Sequence, residues 1–126
     1  MCLKADRKET NKLKKSMGQQ RTFYKGYSVD RYGFIYPPYR YGKKIAHRND
    51  IDHEDIVVVS NRGCKGVKWN NGNCVVNKGI HVFRTKREAQ RPFYDILVKV
   101  LCQTKDLIAA NEKDAAFMKV TIIDKV

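Results

Sequence analysis

Phe23-Tyr24-Lys25-Gly26-Tyr27-Ser28-Val29, then Asp30-Arg31-Tyr32-Gly33, then Phe34-Ile35-Tyr36 follow one another and stop at Pro37-Pro38. Aromatic and β-branched residues fill the first and third pieces, a composition that suits a pleated, half-buried surface. The Asp-x-x-Gly piece between them is turn chemistry. The two prolines end the second piece because neither has an N–H to give to a ladder. The stretch predicts two antiparallel strands joined by a tight turn, and a β-rich fold built around them.

Downstream, residues 50–55 read as an acidic loop carrying His53, and Ile56–Val59 as a continuous β-branched strand buried on both faces. Asn71-Gly72 is the strongest short-range hairpin signal, because both positions of the favoured two-residue turn need positive φ. Residues 75–84 hold a strand interrupted at Asn77-Lys78-Gly79. Thr85-Lys86-Arg87-Glu88 fits a capping box, with Thr85 as N-cap of a helix that Pro92 keeps short. Residues 94–102 form a long apolar strand, residues 105–116 a turn or short helix, and residues 118–123 a last strand. Upstream, residues 1–25 carry eight Lys/Arg against two acids, and Leu3, Leu13 and Met17 are too sparse for a strong amphipathic stripe. Residues 1–20 therefore read as a basic flexible arm with room for a short frayed helix, either a solvated tail or a polyanion-binding one. The fold expected for residues 21–126 is a single α+β domain: a curved, mainly antiparallel sheet of about six strands with one or two short helices.

The chain has 126 residues, 42% of them apolar, enough for a modest core. Its 26 Lys+Arg against 13 Asp+Glu leave a net charge of +13, which favours polyanionic partners: nucleic acid, nucleotides or an acidic protein surface. No apolar run reaches the roughly 18 residues of a membrane span, so no membrane partner is expected. The polar start, with Asp6 and Glu9, lacks the apolar core of a secretory signal, and a cytoplasmic location is expected. The four cysteines, Cys2, Cys64, Cys74 and Cys102, are then read as thiols. A two-residue Asn71-Gly72 turn sets Cys74 opposite Trp69 and Cys64 opposite Gly79, too far apart along the ladder for a disulfide in that register.

Six of the seven tyrosines (Tyr24, Tyr27, Tyr32, Tyr36, Tyr39, Tyr41) lie between Arg21 and Lys44, interleaved with Lys25, Arg31, Arg40 and Lys43. Rings that stack on bases beside cations that track phosphates are the chemistry of single-strand binding. Strand packing accounts for the same residues, since tyrosine and phenylalanine favour strands. The stacking platform is expected at Tyr24, Tyr27, Tyr36, Tyr39, Arg40 and Tyr41, with Arg21, Lys25, Lys43 and Lys44 beside it. Lys12, Lys14 and Lys15 of the arm supply sequence-independent phosphate contacts. Gly63-Cys64-Lys65-Gly66, flanked by Arg62 and Lys68, has the G-x-x-G form of backbone-clamping RNA loops and also reads as an ordinary exposed basic turn.

His47, His53 and His81 show no zinc-ligand spacing, and only a scattered set such as His47, His53, Cys64 and Cys74 would serve, so no metal is expected. Nothing in the arm supports a catalytic role for Cys2, and no catalytic residue is assigned.

Two resemblances add to this reading. Phe23-Tyr24-Lys25-Gly26 and Gly79-Ile80-His81-Val82-Phe83-Arg84-Thr85, with the helix and the strand that follow, resemble a degenerate ADP-ribosyltransferase layout over about half the chain. That resemblance implies a nucleotide-binding protein with Lys25 at the family's His or Arg and His81 at its Tyr; Glu112 is the one late glutamate. Met1-Cys2, Tyr24-Lys25, Tyr36-Pro37-Pro38-Tyr39 and Gly79-Ile80-His81-Val82-Phe83 are similar to small proteins of phages and their Bacteroidetes-type hosts. This similarity spans most of residues 1–100 and implies a mobile-element accessory protein acting on host machinery or defence. The function expected is a non-enzymatic, cofactor-free binding protein for nucleic acid or a nucleoprotein complex. The alternatives are a transferase-like nucleotide binder at Lys25 and His81, and an inhibitory partner of an acidic protein surface.

Overall fold

The computed structural model describes residues 3–38, 43–60 and 67–126. Strand β1 (Leu3–Asp6) leads into helix α1 (Arg7–Met17), and β2 (Gln20–Val29) turns into β3 (Phe34–Tyr36) and β4 (Ala46–His47). A 3-10 turn (Arg48–Asp52) precedes β5 (Ile56–Val59), β6 (Asn73–Val76), β7 (Ile80–Phe83) and helix α2 (Lys86–Ala89). Then come β8 (Ile96–Gln103), a second 3-10 turn (Thr104–Asp106), β9 (Leu107–Ala110), β10 (Asp114–Phe117) and β11 (Lys119–Lys125).

Seven strands run in the order β5-β11-β8-β2-β7-β10-β9, β3 and β4 extend from β2, and all the registers are antiparallel. The sheet is open, and the chain is an α+β protein as its sequence predicts. The described residues hold eleven strands, not about six, because the segments between the long strands are themselves short strands.

Period-two alternation builds the main core. Phe23 and Tyr27 of β2, Val98, Val100 and Cys102 of β8, and Val120 and Ile122 of β11 are buried on one face. Leu13 and Met17 of α1, Ile35 of β3 and Ile51 of the first 3-10 turn enter the same core. β10 serves two layers: Ala115 and Phe117 face this core, while Ala116 joins Ala109, Leu3, Ala5 and Val76 in a second one under the β1–β6 ladder. Alanine suits that middle layer because both neighbouring layers approach it closely. Its helix propensity misleads, and residues 105–116 form a 3-10 turn and strands instead of a short helix.

The N-terminal segment corrects the arm. Asp6 caps α1, its Oδ1 accepting from the N–H groups of Lys8 (2.7 Å) and Glu9 (3.2 Å). Thr10, Leu13 and Met17 fall on one face and are buried. The Thr10 hydroxyl accepts from the Ala110 N–H at 2.9 Å, tying the helix to the edge strand β9. Residues 3–17 are therefore an integral strand and helix.

Ile56–Val59 is a second correction. Strand β5 lies at the sheet edge, with Val57 55% and Val59 58% exposed, so it is not buried on both faces. A continuous β-branched run gives strand but not strand order.

The two turn signals hold. Asn71 (φ 53°) and Gly72 (φ 81°) make the two-residue turn between bridged Asn70 and Asn73. Thr85 Oγ1 accepts from the Glu88 N–H at 3.2 Å and caps α2. On the outer face of the sheet the segment after α2 covers β2: a Cβ at Gly26 would collide with the Tyr94 ring, which only glycine admits.

Candidate nucleic-acid interface

With Thr10, Leu13 and Met17 turned inward, 3.6-residue geometry leaves Arg7, Lys8, Lys12, Lys14 and Lys15 exposed along α1. Eleven residues span about 16 Å, so these five cations stand within about two Debye lengths of one another at physiological salt. The helix has one acid, Glu9, half-buried between Lys12 (3.5 Å) and Arg84 (3.9 Å). Lys12, Lys14 and Lys15, expected at phosphates, are exposed on a helix instead of a flexible arm; Lys12 and Lys15 share one side of it with Lys8, and Lys14 lies nearer Arg7.

A second basic feature sits at the β2–β3 turn. The Asp30 carboxylate accepts from the N–H groups of Tyr32 (2.9 Å) and Phe34 (3.0 Å). The Phe34 bond foremost, with help from Tyr32 and Lys44, holds its carboxyl below the usual carboxylate range. Gly33, at φ 90°, closes the loop against the His47 ring. So fixed, the turn presents Tyr32, 61% exposed, with the Arg31 guanidinium 4.8 Å from its ring centre. Lys44 lies 5.9 Å from the same ring and 4.6 Å from Phe34, and pairs with Asp30 at 3.4 Å. Lys43 and Arg48 are exposed nearby in sequence. Tyr32 belongs to the basic–aromatic segment but not to the expected platform. Its signal was position: a ring at the tip of an Asp-x-x-Gly turn has no sheet to pack on.

The expected platform divides. Tyr27 is a correction: it is fully buried, its hydroxyl has no hydrogen-bond partner among the described residues, and burial pushes its pKa up. It cannot stack on a base. Tyr24 lies half-buried in mid-sheet opposite Phe83 and Lys99, and Tyr36 is half-buried at the end of β3. Arg21 is half-buried with its guanidinium 5.3 Å from the Phe23 ring centre. Tyr39, Arg40, Tyr41, Arg62 and Lys65 lie outside the described residues, as does Cys64.

Lys25 and His81 do meet. Lys25 Nζ donates to the His81 carbonyl at 2.8 Å and stands 5.3 Å from the Tyr27 ring centre. The His81 ring reaches the Lys78 carbonyl at 3.2 Å. Neither residue lines the large cleft of the molecule.

That cleft, 790 Å³, runs beside the β1–β6 ladder and was not foreseen. Asp6, Glu9, Glu88, Glu112 and Asp114 line it against Lys4, Lys68, Arg91 and Lys113. Lys68, expected at a phosphate, lines this mixed cleft. Asp114 Oδ1 is buried, and among the described residues that oxygen has no hydrogen-bond partner. Desolvation first, and Glu88 behind it, raise the Asp114 pKa against an opposing Asn111 hydrogen bond and the charge of Arg91. The folded chain thus holds this proton more tightly than the unfolded chain does. Ionisation costs stability above the raised pKa, and the cost disappears as pH falls below the ordinary carboxylate value. Asp114→Asn is expected to stabilise the protein at pH 7. Thermal melts at neutral and acid pH should show the gain shrinking toward zero on acidification.

Among the described residues no group of three or more His, Cys, Asp or Glu side chains could hold a metal ion, and no helix is long and apolar enough to cross a membrane. Cys74 and Cys102 are free thiols. Comparison with protein-family models, curated proteins and solved structures finds no match.

Proposed function

We propose that the chain is a non-enzymatic binding protein for nucleic acid, in which the exposed face of α1 contacts phosphates and the Tyr32 turn offers a ring to an unpaired base. The observation that carries this reading is the five exposed cations, against one half-buried acid, on a helix anchored by Leu13 and Met17. A helix already ordered by the core loses less entropy on binding than a free arm would. α1 and the β3 region both pack into the main core, so the two basic features belong to elements covering the same face of the sheet. Phosphate contacts supply affinity without sequence preference, and a stacked ring adds preference for single strands.

Fluorescence anisotropy with labelled single-stranded RNA, single-stranded DNA and duplex, at two salt concentrations, tests the proposal. The expected result is salt-sensitive binding that favours single strands. Tyr32→Ala should weaken single-strand binding roughly tenfold, the worth of one stacked base. Equal binding to all three, unchanged by Tyr32→Ala, would remove the turn from the interface. No binding at low salt would overturn the reading altogether.

A further inference from the structure

We propose that two copies of this chain associate edge to edge through β5, forming one continuous sheet across a two-fold axis at Val58. The large sheet has two ends. At one end β9 is closed by α1, through Thr10 and Ala110, and by packing against β1. At the other end β5 pairs with β11, and among the described residues no strand pairs with its outer side.

The register shows which groups β5 leaves open. The Ser60 N–H donates to the Met118 carbonyl at 2.8 Å, and Val58 and Ile56 stand opposite Val120 and Ile122. Because hydrogen-bonded pairs alternate in an antiparallel ladder, Ser60, Val58 and Ile56 bond toward β11, and the N–H and C=O groups of Val57 and Val59 point outward. A two-fold axis at Val58 sets Val57 of each copy opposite Val59 of the other. Those are the residues with outward groups, so all four valines exchange hydrogen bonds with no slip in register.

The side chains agree with this pairing. Val57 and Val59 share the outer face, both more than half exposed, and become cross-strand neighbours. They extend a row that already runs from Val57 through Thr121 and Leu101 to Thr22. The charges agree as well. Glu54 and Asp55 precede β5, whereas Lys119 stands opposite Val59 at its far end, so antiparallel pairing carries the acidic end of each copy toward Lys119 of the other. Edge strands that avoid such pairing carry Lys or Pro, and Ile-Val-Val-Val carries neither.

A four-residue edge makes a small interface, so the association is weak and needs concentrated protein. Copies of charge +13 also repel each other, so sedimentation equilibrium is best run at about 0.3 M salt, from about 5 to about 500 µM. The apparent mass should climb from 14.6 kDa toward twice that value. Val57→Lys with Val59→Lys sets like charges opposite one another on exposed positions and should stay monomeric throughout. Val57→Pro removes one outward N–H without touching a bond to β11, and should weaken association at least tenfold. In the wild type, amide exchange at Val57 and Val59 should slow as concentration rises while that at Val58 stays the same. A wild type that remains at 14.6 kDa throughout overturns the proposal. So does association that both variants leave intact, or exchange at Val57 and Val59 that ignores concentration.

Discussion

Leu13→Ala is expected to lower the free energy of unfolding by about 3 kcal/mol, measured by urea titration. Leu13 is fully buried, and its side chain reaches the main core from the middle of α1. Truncation loses both the transfer free energy of the removed methyl groups and the contacts around the cavity left behind. Beside Leu13 the helix is held by Met17, the Thr10–Ala110 hydrogen bond, the Arg7 N–H on the Gly72 carbonyl (2.8 Å), the Glu9–Arg84 pair, the Thr104 hydroxyl on the Gly18 carbonyl (2.6 Å) and the second core beneath β1. The loss should appear first as faster amide exchange along α1. Lys14→Ala, one residue away on the exposed face, should change stability by less than about 0.5 kcal/mol. Were residues 1–20 a flexible arm, Leu13→Ala would be as neutral as Lys14→Ala, and that outcome would contradict the fold described above.

The second large effect concerns binding. Replacing Lys12, Lys14 and Lys15 together by alanine should reduce the slope of log K against log salt by about 2 to 3, since each neutralised phosphate contributes about 0.7 to 0.9. The variant separates charge from folding. Alanine is the best helix former, all three side chains are exposed, and the only ion pair broken among the described contacts is that of exposed Lys12 with half-buried Glu9, which keeps Arg84 beside it. Melting should be nearly unchanged while nucleic-acid affinity at moderate salt falls by at least an order of magnitude. An unchanged slope would take α1 out of the interface.

How much of this could be read from the sequence depended on how locally each feature is encoded. The β2–β3 turn, the Asn71-Gly72 hairpin and the Thr85 cap are set by a few adjacent residues, and each stands where its motif predicts. Residues 3–17 escaped because four apolar side chains, Leu3, Ala5, Leu13 and Met17, are too few to give a periodic signal, and two separate cores are needed to bury them. The local cue was there in Asp6-Arg7-Lys8-Glu9, an acidic N-cap followed by a glutamate at the third helical position. Tyr27 shows the opposite difficulty. Phe23, Lys25 and Tyr27 share one face of β2 by strand parity, but only tertiary packing decides which face is covered. The cleft beside the β1–β6 ladder was beyond local reading, because it gathers residues from both ends and the middle of the chain.

The central claim is that nucleic acid meets the α1 face and the Tyr32 turn. Following the backbone amides by NMR while a short single-stranded oligonucleotide is added tests it most directly. The account predicts shifts concentrated on Arg7 through Lys15 and on Arg31 through Phe34, weakening as salt rises. Shifts that instead gather on Asn73, Asn111 and Glu112 in the cleft, or no shifts at low salt, would contradict it.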